Sequence, residues 1–234
     1  MPRERQYYTG VSVYMLLRIP FVWFSNKLFI FATMLDGLKR VLVWLSRINH
    51  CKGFGVQSPS AYRFIREVVN AHSYYEGDGL KAEKPGLSSN VEKLCLLYSR
   101  MAKFLQPDVV LNFDEVDDPY KKYFVCSCSK LAFFHLGADM EEGEYNDFLS
   151  QQYTSKHLIR VALVGQYKKF LKAAICMASK ETVIVIEGIH QDSEIRAFWK
   201  GLQNDRHTGV SFDLYYCGII FFDDRIKQHY IVNF

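Results

Sequence analysis

Two short segments carry residue types that can do acid–base chemistry where an apolar run gives way to polar chain. One run, Thr182–Ile186, stops at Glu187-Gly188-Ile189-His190; another, Asp108–Phe113, passes through Asn112 and stops at Asp114-Glu115. A carboxylate three residues before an imidazole suits two tasks. Glu187 would ligate a metal or position a hydroxyl, and His190, with an unperturbed pKa of about 6.5, would take the hydroxyl's proton. The plainer alternative makes Glu187 the cap of a helix beginning near Asp192 and leaves His190 a solvated loop residue. The other histidines, at 50, 72, 135, 157, 207 and 229, share no spacing that suggests a metal or a triad. No G-x-S-x-G elbow, phosphate loop or H-E-x-x-H pair occurs.

The elements that must hold these residues read as an open α/β sheet. Leu158–Val164 and Thr182–Ile186 are short apolar runs ending in polar turns, Gly165-Gln166-Tyr167 and Glu187-Gly188-Ile189-His190. Such strand ends are where open α/β sheets hold ligands. Gln166–Ser179 and Asp192–Asn204 read as crossover helices, which in right-handed connections pack back on the sheet. Asp108–Glu115 is the expected first strand, with Tyr123–Ser127 and Leu131–Leu136 as two more, and the acidic stretch Ala138–Gln152 is left without an element. Val210–Phe222 reads as one long aromatic strand and Gln228–Phe234 as the last. The five residues between them are too few for a crossover helix, so these two strands are expected to be antiparallel. The fold class is therefore α/β, a Rossmann-like and mostly parallel sheet closed by a C-terminal antiparallel hairpin, with helices before it.

Those helices begin near Leu35. Leu38, Val41, Leu42 and Leu45 form an apolar stripe, with Lys39, Arg40 and Arg47 off it. Gly53, Gly55 and Pro59 break the helix, and Ser58 is placed to cap the next, Ser60–Asn70, with Pro59 in its first turn and Tyr62, Ile65, Val68 and Val69 inward. A loop with Gly77, Gly79, Pro85 and Gly86 marks a boundary. A further helix, Asn90–Leu105, turns Leu94, Leu97, Met101 and Leu105 to one side. Three parts result: an apolar extension over 1–33, a helical appendage over 34–89 and the α/β domain over 90–234.

Composition excludes several classes. With 49% hydrophobic and 23% charged residues in 234, the chain has enough apolar surface for a folded core. A net charge of +4 without a Lys/Arg block gives no reason to expect nucleic acid. The cysteines at 51, 95, 126, 128, 176 and 217 lack a disulfide framework and read as buried thiols of a reduced, cytoplasmic protein. Cys126 and Cys128 face one side of an expected strand, but no second pair stands at zinc spacing, and no metal is expected. Val11–Leu35 is apolar and aromatic, yet Arg18, Pro20, Asn26 and Lys27 interrupt it, which disfavours a spanning helix. Residues 11–33 suit a weak contact with a membrane surface, which would make the protein peripheral at the inner membrane face. The alternatives are a helix packed on the body or a partner, or an extension upstream of a start at Met34. Homodimerisation is left open.

The segments Gly53-Phe54-Gly55-Val56-Gln57-Ser58-Pro59 with Tyr62-Arg63-Phe64-Ile65-Arg66, then Val183–His190, then Phe212–Phe222 resemble the class I S-adenosylmethionine-dependent methyltransferases of Bacteroidetes, relatives of small O-methyltransferases. The likeness runs from about Leu35 to Phe234. It implies a seven-stranded sheet with a reversed terminal hairpin, S-adenosylmethionine as cofactor, a small-molecule methyl acceptor, Glu187 and His190 as catalytic residues, and Asn112, Asp114 and Glu115 against the cofactor.

Three departures from the family pattern stand beside the likeness. The turn after the first strand, Leu111–Pro119, has no glycine to admit the cofactor and carries four carboxylates instead. The expected second strand ends Val125-Cys126-Ser127-Cys128-Ser129 without an acid for the ribose. The turn after Leu158–Val164 keeps Gly165 but has Gln166-Tyr167 where the family has an acid and a histidine. The expectation is a methyltransferase-like protein with weakened or lost cofactor binding. Its alternative is a non-catalytic binding or assembly protein, a pseudoenzyme on the same fold.

Overall fold

A computed structural model describes residues 38–39, 41–50, 56–71, 89–115, 120–128, 130–151 and 156–234. The chain divides into two compact units, Met1–Ser46 and Arg47–Phe234. The second is a Rossmann-like α/β domain built on a seven-stranded sheet.

The strands are β1 (Val109–Asp114), β2 (Ala132–Gly137), β3 (His157–Val161), β4 (Val183–Glu187), β5 (Val210–Asp213), β6 (Cys217–Phe221) and β7 (Gln228–Ile231). They lie in the order β2-β1-β3-β4-β6-β5-β7. β1 pairs in parallel with β2 and β3, and β3 with β4. β1 and β3 are buried from Val109 to Phe113 and from His157 to Val161, as strands covered by helices on both faces must be. One face carries Val110, Leu158, Val185 and Phe212 against α1 (Pro59–Phe64), its continuation Ile65–Val69, α2 (Ser89–Leu105) and α3 (Lys121–Val125). The other carries Leu111, Phe113, Ile159 and Ile184 against α4 (Glu142–Gln151), α5 (Tyr167–Cys176) and α6 (Ser193–Asn204). On that second face Phe113 stacks on Phe170 of α5, ring centroids 4.3 Å apart.

The reversed strand is β6, and its place corrects the reading of the C-terminus. Val210–Phe222 is not one strand: it folds back at Leu214-Tyr215-Tyr216 into β5 and β6, which pair antiparallel. The turn forms because the Asp213 carboxylate accepts the Tyr215 N–H at 2.9 Å, and Tyr215 takes a left-handed φ of 71°. β6 inserts between β4 and β5, antiparallel to both. β7, expected as the antiparallel partner of the preceding strand, instead pairs with β5 and runs parallel to it. The short link does reverse the chain after β6, but β5 already occupies that edge of β6. Gly218 of β6 is what lets α6 pack there, since a Cβ would stand 2.5 Å from the buried Trp199 ring.

Other expectations are also corrected. Tyr123–Ser127 is no strand: Lys121–Val125 is helical, and β2 comes after it. The aromatic and β-branched residues that suggested a strand bury Tyr123 and Phe124 against α2 from a single helical turn. Ala138–Gln152 contains α4, which buries Tyr145 and Leu149. Cys126 and Cys176 are exposed, whereas Cys95 and Cys217 are buried. Ser58 caps α1 as read, accepting from the Ala61 N–H, but Ala61 and Phe64 are buried and Tyr62 is exposed. The inferred break at Gly53 and Gly55, the loop at 77–86 and the 1–33 extension lie outside the described residues. Among the described residues, no helix is long and apolar enough to cross a membrane.

Candidate functional site

The winding of the sheet changes direction between β1 and β3, because β2 lies on one side of β1 and β3 with β4 on the other. In open α/β folds the crevice outside the carboxyl ends of such a strand pair is the ligand site. Here it holds a side chain of the chain itself. Arg160, the fourth residue of β3, lies beside Asn112 across the β1–β3 ladder and is 2% exposed. Its Nη1 donates to Asn112 Oδ1 at 2.6 Å and to Asp114 Oδ2 at 2.9 Å, and its Nε donates to Glu187 Oε1 at 2.6 Å. The guanidinium lies over the Tyr120 ring, 4.1 Å from its centroid. Tyr98 of α2 donates its hydroxyl to Glu187 Oε1. A buried arginine is costly unless its charge and its donors are met; two carboxylates, an amide oxygen and an aromatic face meet them here.

The electrostatics follow from this packing. Burial raises the Tyr98 hydroxyl well above its ordinary range and Glu187's charge adds to the rise, so the phenol keeps its proton and acts as donor. Burial, then the Glu187 and Asp213 charges, pushes the neighbouring Cys217 thiol up as well. Asp114 and Glu187 keep 19% and 18% of their side-chain surface in contact with solvent.

A second cluster lies at the ends of β4 and β5. Asp213, the last residue of β5, accepts from His190 Nε2 at 2.7 Å and from Arg47 Nη2 at 2.8 Å. Arg47 Nη1 also donates to the Asp213 carbonyl at 3.1 Å. With Nε2–H directed at Asp213, the 3.3 Å approach of Arg47 Nη2 to Nε2 is two donors meeting at one carboxylate, and Nδ1 is the atom able to take a proton. The imidazole stacks flat on Tyr215, centroids 4.9 Å apart and planes within 8°. Burial alone would raise the Asp213 carboxyl; the His190 hydrogen bond and the Arg47 charge outweigh it and hold it below the usual Asp range.

The residues singled out by sequence therefore fall into different roles. Glu187 ends β4 inside the Arg160 network, and His190 belongs to the Asp213 cluster; among the described residues no hydrogen bond joins them. Glu187 does not cap the following helix, because Asp192 does so by accepting the Ile195 N–H at 2.8 Å. His190 is paired and stacked rather than a solvated loop residue. Asn112 is fully buried, with Nδ2 3.2 Å from His135 Nδ1 and its oxygen on Arg160. Asp114 uses both oxygens, one for Arg160 and one for the Glu115 N–H at 2.8 Å. Glu115 itself is exposed.

Arg160, Tyr98, Tyr120, Asp213 and Arg47 were not singled out by sequence. Arg160 alone offered a signal: a charged residue inside the apolar run Leu158–Val164 has to find carboxylates at the neighbouring strand ends. The expected second strand ending without an acid is also corrected: Lys121–Val125 is helical, β2 ends at Gly137, and the exposed Asp139 stands two residues past it.

Of the groups that the resemblance would set against a cofactor, Asn112 and Asp114 are bonded to Arg160, whose guanidinium lies 4.1 Å from the Tyr120 ring centroid and 6.0 Å from that of Tyr98; residues 116–119 of the turn after β1 lie outside the described residues. The loops after β2 and β3 also meet, with Gln166 N–H donating to Ala138 O at 3.4 Å. Gly165, with φ 54°, serves that contact: a Cβ there would lie 2.4 Å from Ala138 O. The glycine that the sequence retains is thus used for packing between loops. Among the described residues, no group of three or more His, Cys, Asp or Glu side chains is arranged to hold a metal ion. Comparison with protein-family models and with curated proteins finds no match.

Proposed function

We propose that this chain is a methyltransferase-like protein that has lost S-adenosylmethionine binding and works as a non-catalytic binding or assembly protein. One observation carries the reading: the switch-point crevice is occupied by Arg160, whose guanidinium is paired with the carboxylates of Asp114 and Glu187. A pocket that accepts a cofactor keeps its polar groups available to it; here they are spent on an internal cation. The Asp213–His190 pair favours a second reading, a weakened small-molecule O-methyltransferase in which His190 Nδ1 takes the acceptor's proton.

Thermal unfolding with S-adenosylmethionine or S-adenosylhomocysteine at millimolar concentration separates the two. A ligand at 100 times its dissociation constant adds about 2.7 kcal/mol, so a bound cofactor would raise the midpoint by several degrees. The first reading predicts no shift with either compound. A shift with both supports the second.

A further inference from the structure

The positive charge of this chain is segregated. Met1–Ser46, the first compact unit, contains six basic residues, Arg3, Arg5, Arg18, Lys27, Lys39 and Arg40, against Glu4 and Asp36. It therefore carries the whole net charge of +4, and residues 47–234 balance at 23 basic against 23 acidic. The same unit has nine aromatic residues among its 46. Its described part is helical over 41–46 and presents Leu38, Val41, Leu42 and Leu45 at i, i+3, i+4 and i+7, each between 50% and 57% exposed. Leu38 and Leu42 line an open groove of about 450 Å³ together with Lys39, Val43 and Ser46. Scattered surface leucines are ordinary, but Leu38, Val41, Leu42 and Leu45 on one helical face form an exposed apolar stripe.

We infer that the face formed by Leu38, Val41, Leu42 and Leu45 docks this protein on an anionic lipid surface, with these four side chains entering the acyl boundary and Lys39 meeting lipid phosphates, the sequence charge of +4 over residues 1–46 adding to the attraction. Charge complementarity selects this occupant. A second copy would set +4 against +4, and a nucleic acid would satisfy the charge while leaving the leucine face in water. An anionic bilayer supplies both an apolar layer and a negative surface, the pair of interactions that holds amphipathic basic helices at membranes. The inference is independent of whether the α/β domain binds a cofactor.

Co-sedimentation of the full chain with vesicles tests it. Binding to phosphatidylcholine vesicles containing about one-third phosphatidylglycerol should exceed binding to pure phosphatidylcholine roughly tenfold or more, and should fall steeply as salt is raised. Leu42→Asp/Leu45→Asp should release the protein from anionic vesicles while its α/β domain melts as before, because both leucines are half exposed. Lys39→Glu/Arg40→Glu should reduce the anionic preference. No binding to either vesicle, equal binding to both, or concentration-dependent dimerisation without vesicle binding would each overturn the proposal. Should the aspartate variant fail to fold, the two-vesicle comparison on the natural chain still decides.

Discussion

Two arginine–carboxylate clusters lie along one sheet edge, and they differ in how far water reaches their hydrogen-bond donors. Arg160 is 2% exposed, held between carboxylates on β1 and β4 and backed by Tyr120. Arg47 is 11% exposed and shares a single carboxylate, Asp213, with His190, whose side chain keeps 21% of its surface. In the first cluster the protein has replaced solvent around an ion, so each member depends on the others. In the second, it is the donors that lie nearer to water, while Asp213 itself is only 10% exposed. The lesson is that polar residues at the strand ends of an α/β sheet need not form one site: here the closed group is structural and the open group retains a proton-accepting atom.

Removing Arg160 should give the largest effect. Arg160→Ala leaves Asp114 and Glu187 facing each other without their cation and is expected to cost about 3–5 kcal/mol in a urea titration. Neutralising all three, Asp114→Asn/Arg160→Met/Glu187→Gln, should recover much of that loss. A cost for Arg160→Ala no larger than that of a surface ion pair would erase the contrast between the clusters.

Next in size is Tyr98→Phe. It deprives Glu187 of a donor without opening a cavity and should cost about 1.5–3 kcal/mol, the range for a hydrogen bond to a charged group. Equilibrium unfolding at neutral pH measures it.

The open cluster should show itself in acid. Asp213's folded pKa lies below its unfolded value of about 3.9. Its contribution is therefore complete above that value and is lost as pH falls through it toward the folded pKa. The stability gap between the natural chain and Asp213→Asn should be widest above about pH 5 and should narrow steadily below pH 4. A gap that stays constant across that window would mean Asp213 is not ionised by its partners.

Tyr215→Gly is expected to have the smallest effect. Glycine relieves the left-handed backbone but forfeits the stack on His190 and adds chain entropy to the unfolded state, so the net change should stay within about 1 kcal/mol. A calorimetric midpoint is enough to check it.

These clusters also mark how far the sequence could be read. The apolar runs that became β1, β3 and β4, the crossover helices α5 and α6, and the Ser58 cap were legible because periodicity and caps are local signals. The split of Val210–Phe222 was not, since its turn contains no Gly, Pro or Asn and rests on the Asp213 carboxylate and a tyrosine at positive φ. Lys121–Val125 misled because one buried helical turn and one buried strand have the same apolar composition. Glu187 ends β4 and His190 lies just beyond it, as polar residues after an apolar run should, but their partners come from β3, β5, α2 and the segment around Arg47. Spacing along the chain carries no information about contacts between residues 143 positions apart, such as Arg47 and His190.

The proposed loss of cofactor binding rests on Arg160 standing where a nucleoside would have to enter, and a crystal of the protein soaked in S-adenosylmethionine shows whether it yields. Arg160 should remain seated on Asp114 and Glu187, with no ligand density beside Phe113. Nucleoside density there, with the guanidinium displaced, would refute the proposal.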